Sequence, residues 1–227
     1  METQTNKINV EDFKSWLTQS MTTRELFRWK VPTDTAWGML VAAYMKVVAT
    51  RGMECEIPEE VNGYLRAIAE TMTTESTKCG ILLCGNCGNG KTTSMNAFAI
   101  VTEYLQKVYQ KNCMESGSWP KMTKMEKTSA RRLVQLAKDE QAMAEAKSIG
   151  VLCIDDVGLE PTEVLDYGNA INPVIEILEQ RYQRQLFTFI TTNLTPKQIR
   201  EKYGDRIADR FNEMMKCIVY KNPTFRR

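Results

Sequence analysis

Apolar positions in the first third of the chain recur every three or four residues, the period of a helix with one buried face. Val10 to Gln19 sets Phe13, Trp16 and Leu17 on one side. Asp34 is placed to cap a second helix with apolar positions Trp37, Leu40, Val41, Tyr44 and Val48. Pro58 suits a first helical position, and Glu59 and Glu60 then sit at the positive end of the helix dipole. Val61, Tyr64, Leu65, Ile68 and Met72 line that helix, and Thr73 to Lys78 is a polar break.

After Lys78 the period changes. Cys79 to Cys84 is a short apolar run, read as a buried strand, and a glycine-rich turn leads into a long helix from Lys91 to Lys111. Lys111 to Pro120 reads as loop and Thr128 to Ala146 as helix. Ile149 to Ile154 is a second apolar strand. Asn169 to Arg184 is a helix with Ile171, Val174, Ile175 and Leu178 inward, and Leu186 to Thr191 is a third strand. Thr195-Pro196-Lys197-Gln198 is a capping box with proline in the first turn. Two short helices run to about Met215, and Cys217 to Tyr220 closes the series as a strand. Strands alternating with helices predict an α/β fold with a largely parallel sheet. The expected organisation is an N-terminal helical arm over 1–33, helices packed on the core over 34–75, and an α/β domain over 76–227.

Composition changes this picture mainly by exclusion. The 227 residues are 43% hydrophobic and 26% charged, ordinary for a globular chain and unlike collagen-like, mucin-like or disordered classes. No run approaches the roughly 18–20 apolar residues of a membrane span, and the polar start Met1 to Lys7 leads into no signal-type apolar stretch. A cytoplasmic protein without membrane contact is expected. The chain has no histidine, which removes Ser-His-Asp and Cys-His catalysis and His-bearing zinc sites. Of seven cysteines, Cys79, Cys84 and Cys153 lie in apolar runs and read as buried thiols. Cys84 and Cys87 form a C-x-x-C without a second pair at zinc spacing.

The net charge is only +2, but residues 181–227 carry eleven Lys/Arg against four acids, and residues 119–138 carry six against one. Such concentrations suit polyanion contacts and suit a solvated surface equally. Lys121, Lys124, Lys127, Arg131 and Arg132, next to Trp119, form a candidate DNA-facing stretch. Contacts of that kind hold phosphates without reading bases and weaken steeply with salt.

Gly85-Asn86-Cys87-Gly88-Asn89-Gly90-Lys91-Thr92 matches G-x-x-x-x-G-K-[ST] between a predicted strand and a predicted helix. Glycines let backbone N–H groups close around phosphates, and the helix N-terminus favours the negative charge. Lys91 would reach the β- and γ-phosphates, Thr92 would ligate Mg²⁺, and Thr93 completes the turn. Val151 to Asp156 is a buried strand ending in two carboxylates on the ligand side of a parallel sheet. Asp155 would hold Mg²⁺, and Asp156 would orient or deprotonate a water. Asn193, just past an apolar strand, suits contact with that water or the γ-phosphate. It suits a plain turn as well, and its place after the Asp-Asp strand favours the first. Arg206 and Arg210 lie four apart on one helix face, available to a neighbouring subunit's phosphate or to pairing with Asp205 and Asp209.

The order of these elements resembles the DnaC/DnaI/IstB branch of AAA+ ATPases. The phosphate loop at 85–92, Ile154-Asp155-Asp156-Val157-Gly158-Leu159-Glu160, Thr191-Thr192-Asn193, Gly204 to Phe211 and the final Pro223-Thr224-Phe225-Arg226 are similar to motifs of that branch over residues 76–227. The resemblance implies a P-loop NTPase fold with a parallel five-stranded sheet between helices, a helical N-terminal extension and no C-terminal lid. It implies ATP and Mg²⁺ as cofactors. Asn193 becomes a sensor, Arg210 an arginine finger acting in trans with Arg206 in support, and Arg226 a substitute for a lid-borne sensor. It further implies a DNA-stimulated ATPase of slow turnover that self-associates with nucleotide, binds single-stranded DNA and loads a DnaB-type replicative helicase. A transposition helper of the IstB type shares every motif and binds duplex DNA. Outside this branch, the phosphate loop alone also suits a small-molecule kinase. Two departures stand out: residue 156 is Asp where many AAA+ proteins carry Glu, and the N-terminal third lacks the histidine and clustered cysteines of a zinc-bearing adaptor.

Overall fold

A computed structural model describes residues 9–20, 25–54, 56–116, 123–161, 164–166 and 169–225. Five strands form one sheet in the order β2-β3-β6-β1-β7, with every adjacent pair parallel. They are β1 (Gly80–Gly85), β2 (Met125–Ser129), β3 (Val151–Val157), β6 (Phe187–Thr192) and β7 (Met215–Tyr220). A separate two-stranded hairpin joins β4 (Val164–Asp166) to β5 (Asn169–Ile171). The chain has an α/β fold, a parallel five-stranded sheet with helices on both faces.

Strand side chains alternate between faces, and here both faces are covered. Ile81, Leu83, Cys153, Phe187 and Phe189 pack with α2 (Thr33–Ala49), α3 (Glu59–Thr73) and α4 (Lys91–Glu115). Leu82, Cys84, Leu152, Ile154 and Ile190 pack against α5 (Ala130–Gln135), α6 (Glu140–Ser148), α7 (Pro173–Gln183), α8 (Pro196–Tyr203) and α9 (Asp205–Met214). This is why β1 and the first four residues of β3 read as unbroken apolar runs rather than as alternating ones. On the first face Phe98 is fully buried and stacks on Trp29 at 5.2 Å and Phe187 at 5.6 Å. Truncating such a ring costs about 3–5 kcal/mol.

The N-terminal aromatic residues divide into two groups. Helix α1 (Val10–Ser20) buries no residue, and its Phe13 and Trp16 are exposed and stack on each other at 5.9 Å. Phe27 and Trp29 instead belong to the core; the Trp29 indole donates to Thr102 Oγ1 at 3.2 Å.

Four local expectations are corrected. Thr128 and Ser129 end strand β2 rather than start a helix; α5, a 3₁₀ turn at Leu136–Lys138 and α6 divide the rest of the expected helix. Helix α7 starts at Pro173, capped by the Asn172 side chain, and 169–171 pair as β5. Helix α4 continues past Lys111 to Glu115. Helix α2 is preceded by Pro32 in the cap position without a side-chain cap bond, and Asp34 pairs with Arg66 at 3.2 Å across to α3. Among the described residues, no helix is long and apolar enough to cross a membrane.

Candidate functional site

Parallel strands bring their carboxyl ends to one rim, and the candidate residues collect there. The loop after β1 carries the glycines, β3 carries Asp155 and Asp156, and Asn193 follows β6. Ser129, the last residue of β2, is the register partner of Asp155, so the start of α5 lies on the same rim.

Two glycines of the loop are geometrically obligatory. Gly90 has φ 99°, and a Cβ there would stand 2.6 Å from the Tyr44 hydroxyl. Gly85 has φ 149°, and a Cβ would meet the Tyr220 carbonyl at 2.5 Å. Helix α4 then opens at Lys91 with no side-chain cap. Its first N–H groups, together with the dipole, make an anion seat. Asn86 and Cys87 are exposed, Gly88 is half-buried, and Asn89 and Thr93 are buried.

The Lys91 side chain folds back into this loop. Its ammonium donates to the carbonyls of Asn86 (2.7 Å) and Gly85 (2.8 Å) and to the side-chain oxygens of Asn193 (2.9 Å) and Asn89 (3.1 Å). The residue is 5% exposed. Burial pulls its pKa below the usual lysine range, against the opposing pull of Cys87, Asp156 and Asp155 among others. A cation held by neutral dipoles in a dehydrated seat is prepared to accept an anion. The motif residues at 91 and 193, more than a hundred positions apart, thus touch directly.

The acidic pair is displaced from the β6 ladder by a bulge. The register of β3 against β6 shifts between Ile154 and Val157, which takes Asp155 and Asp156 out of the pairing with β6. Asp156 takes the left-handed conformation at φ 56°, and its N–H donates to Thr191 Oγ1 at 3.0 Å. Asp155 Oδ1 accepts from the hydroxyls of Thr191 (2.5 Å) and Thr92 (3.0 Å). A threonine hydroxyl in contact with a carboxylate is a hard-oxygen pair, the donor chemistry that suits Mg²⁺. The expected metal ligands therefore do meet.

Glu160 was quoted in the acidic motif without a role, and the structure supplies one. Its carboxylate is buried, accepts from the Gly158 N–H at 2.8 Å and from the Tyr203 hydroxyl, and its backbone carbonyl accepts from Lys202 at 2.6 Å. It thereby ties the turn after Asp156 to α8. Burial, followed by this hydrogen bond, pushes the Tyr203 phenol up. The signal was the D-D-x-G-x-E spacing itself.

The arginine box does not make the local pairing with Asp205 and Asp209. Asp205 and Asp209 pair with Arg200 of α8, not with Arg206 or Arg210. Arg206 and Arg210 converge instead on Glu179 of α7, at 3.2 and 2.7 Å. The Arg210 side chain is 14% exposed, lies over the Tyr182 ring at 5.0 Å, and meets Glu179 off the hydrogen-bonding directions of its N–H groups. The Arg206 side chain is 69% exposed.

The basic stretch is only partly assembled. Arg131 and Arg132 are exposed at the start of α5, while Lys124 pairs with Glu145 and Lys127 donates to Asn96 at 2.8 Å. Lys121 and Arg226 lie outside the described residues.

No protein-family model matches the chain, and no curated protein matches it in sequence. Solved structures do match in fold. A crystal structure of DnaI superposes with TM-score 0.54 at 20% identity, covering 86% of this chain and 94% of that one. The DnaC helicase loader gives 0.50 at 20% identity over 78% of this chain and 98% of that one. The replication initiator DnaA bound to AMPPCP and single-stranded DNA gives 0.50 at 15% identity over 74% and 48%.

Proposed function

We propose that this chain is an ATP-hydrolysing AAA+ replication factor of the DnaC type, which binds ATP with Mg²⁺, assembles on single-stranded DNA and helps to load a DnaB-type replicative helicase. One observation carries the reading: at the end of the glycine loop the Lys91 ammonium touches Asn193 of one strand end while the adjacent Thr92 hydroxyl touches Asp155 of another.

The chemistry follows from these groups. The N–H groups of the loop and the first turn of α4 receive phosphate oxygens, and Lys91 leaves its carbonyl cradle to neutralise charge between the β- and γ-phosphates. Thr92 and Asp155 would hold Mg²⁺, which would supply charge compensation for the phosphates. Asp156, its backbone fixed by Thr191, positions a water and takes its proton as the water attacks. Asn193 surrenders Lys91 and turns its amide to that water. Arg210, with Arg206 beside it, serves the site of a neighbouring copy once Glu179 releases it. Arg131 and Arg132, with Lys121, Lys124 and Lys127, supply phosphate contacts to DNA. Arg226, next to Phe225 at the loop, would add a cation toward the nucleotide.

The fold shared with DnaI and the DnaC helicase loader supports the loader reading, and the DnaA structure with AMPPCP and single-stranded DNA supports a nucleotide and a DNA strand as ligands. The test is ATP hydrolysis by wild type and Lys91→Ala with no DNA, single-stranded DNA or duplex DNA at two salt concentrations. Lys91-dependent activity raised by single-stranded DNA at low salt is the expected result. Preference for duplex favours a transposition helper of the IstB type. Indifference to both removes DNA as partner and points to a small phosphate acceptor.

A further inference from the structure

The segment after β7 is bonded to the glycine loop at successive points. The Phe225 N–H donates to the Gly88 carbonyl at 2.9 Å. Asn222 Nδ2 donates to the Asn89 carbonyl at 3.1 Å, and Asn89 Nδ2 donates to the Tyr220 carbonyl at 3.2 Å. The Tyr220 hydroxyl donates to Ser94 Oγ at 2.7 Å in the first turn of α4. The Phe225 ring, half exposed, lies 3.5 Å from where a Cβ of Gly90 would stand. These contacts make residues 220–225 a strap across the outer side of the loop.

Asn89 joins the strap to the lysine. It is 1% exposed, and its amide is fully engaged in opposite directions: Oδ1 accepts from Lys91 and Nδ2 donates to Tyr220. A phosphate that draws Lys91 away leaves Asn89 Oδ1 without its donor, in a seat with almost no water. An amide in that position must turn or shift to find another partner. Turning it disturbs the bond to Tyr220, and shifting its backbone disturbs the bond from Asn222. On the strap side, Asn222 Oδ1 is buried with no hydrogen-bond partner among the described residues. The present seat of Asn222 is therefore unsatisfied, and a second arrangement that feeds this oxygen costs the strap little.

We propose that Asn89 is a positioning residue that couples the Lys91 ammonium to the 220–225 strap, so that occupancy of the phosphate seat is reported at the strap and strap closure in turn tunes nucleotide affinity. This rests on Lys91 being the phosphate ligand. Reciprocity is thermodynamic: whatever factor the nucleotide applies to the strap, the strap applies to the nucleotide.

The experiment pairs hydrogen exchange over 216–225 with titration of a fluorescent ADP–Mg²⁺ analogue, in wild type, Asn89→Ala, Asn222→Ala, the double variant and Lys91→Ala. Wild type is expected to show a nucleotide-dependent change in exchange at the Phe225 amide. Because the strap as it stands holds Asn89 against Lys91, each single variant is expected to bind the analogue about five- to tenfold more tightly and to lose the nucleotide-dependent change. The double variant is expected to bind no more tightly than the tighter single variant, because both cut one linkage. Additive gains, unchanged or weakened binding in both single variants, or a nucleotide response at Phe225 in Asn89→Ala equal to wild type, overturn the proposal. If Asn89→Ala does not fold, Asn222→Ala reads the same linkage from the strap side. Lys91→Ala binding as tightly as wild type overturns instead the assignment of Lys91 to phosphate, and is told apart from failure of the relay by that variant alone.

Discussion

Lys91 is a buried cation and Arg210 a largely covered one, yet their surroundings are opposite. Lys91 sits among four neutral oxygens, two of them backbone carbonyls of its own loop. Arg210 sits against a full carboxylate, Glu179, and over an aromatic ring. Neutral dipoles stabilise an ammonium enough to bury it and yield readily to a phosphate. A carboxylate holds a guanidinium in place until a competing anion, or a movement of α7 against α9, releases it. The difference suggests a cation that acts within its own subunit and is always ready, and another that acts only after a change of state. Arg181 is the internal control. It is fully buried and satisfied by Thr188 Oγ1 and the carbonyls of Ala146, Ile149 and Phe187, with no loop of glycines beside it. Neutral acceptors alone therefore mark a structural cation; the glycine loop and the Asp155 pair distinguish Lys91.

The largest expected effect breaks the comparison if it fails. Arg210→Ala should cut turnover by roughly 10³-fold, the scale of an arginine finger, while leaving nucleotide affinity nearly unchanged. Mixing it with Lys91→Ala should restore part of the activity, since each variant supplies what the other lacks. Steady-state hydrolysis of the mixture checks this, and a mixture as inactive as its components contradicts action in trans.

Arg181→Met should destabilise by about 3 kcal/mol, because it orphans several buried carbonyls and the Thr188 hydroxyl. Urea unfolding measures the loss; turnover per folded molecule should stay near wild type. Glu160→Ala should cost about 1–3 kcal/mol for the same reason. Unlike Arg181→Met it should also lower turnover, because it loosens the turn that carries Asp156.

Glu179→Gln sharpens the comparison directly. It removes the negative charge that holds Arg206 and Arg210, and DNA-stimulated turnover is expected to rise by a few-fold as the arginines become available. A fall in turnover would mean that Glu179 positions Arg210 for its task rather than restraining it.

The smallest effect is a pH dependence. The folded-state pKa of Lys91 is lowered by burial, so below its unfolded value the unfolded chain binds more protons. Stability from this group is expected to rise with pH through the window between the folded and unfolded pKa values. Phosphate affinity is expected to fall over the lower part of that window as the ammonium is lost. Lys91→Ala should remove this pH dependence of stability.

The legibility of the sequence follows the same contrast. The glycine loop and the Asp-Asp pair were readable because each sits at the end of an unbroken apolar run that both helical layers cover, and Asn193 because it follows Phe189-Ile190 and two threonines. Strand β2 was not, because it is an edge strand: Met125-Glu126-Lys127-Thr128-Ser129 pairs on one side only and stays partly exposed, so its sequence is polar and carries no strand pattern. The start of α7 was misplaced because 169–171 continue its apolar pattern while Asn172-Pro173 supplies the real cap. The hold of Glu179 on both arginines joins α7 to α9 across the second helical layer, and local charge spacing favoured Asp205 and Asp209 instead. The D-D-x-G-x-E spacing was visible, but the burial of Glu160 against Tyr203 needed the fold.

Equilibrium binding of ATP–Mg²⁺ to wild type and Lys91→Ala, followed by isothermal titration, tests the account most directly. The account predicts one saturable site per wild-type chain and a loss of at least a hundredfold in affinity, or about 2.7 kcal/mol, in a Lys91→Ala protein that unfolds no earlier than wild type. Equal affinity in the two proteins, or no binding to wild type, would contradict it.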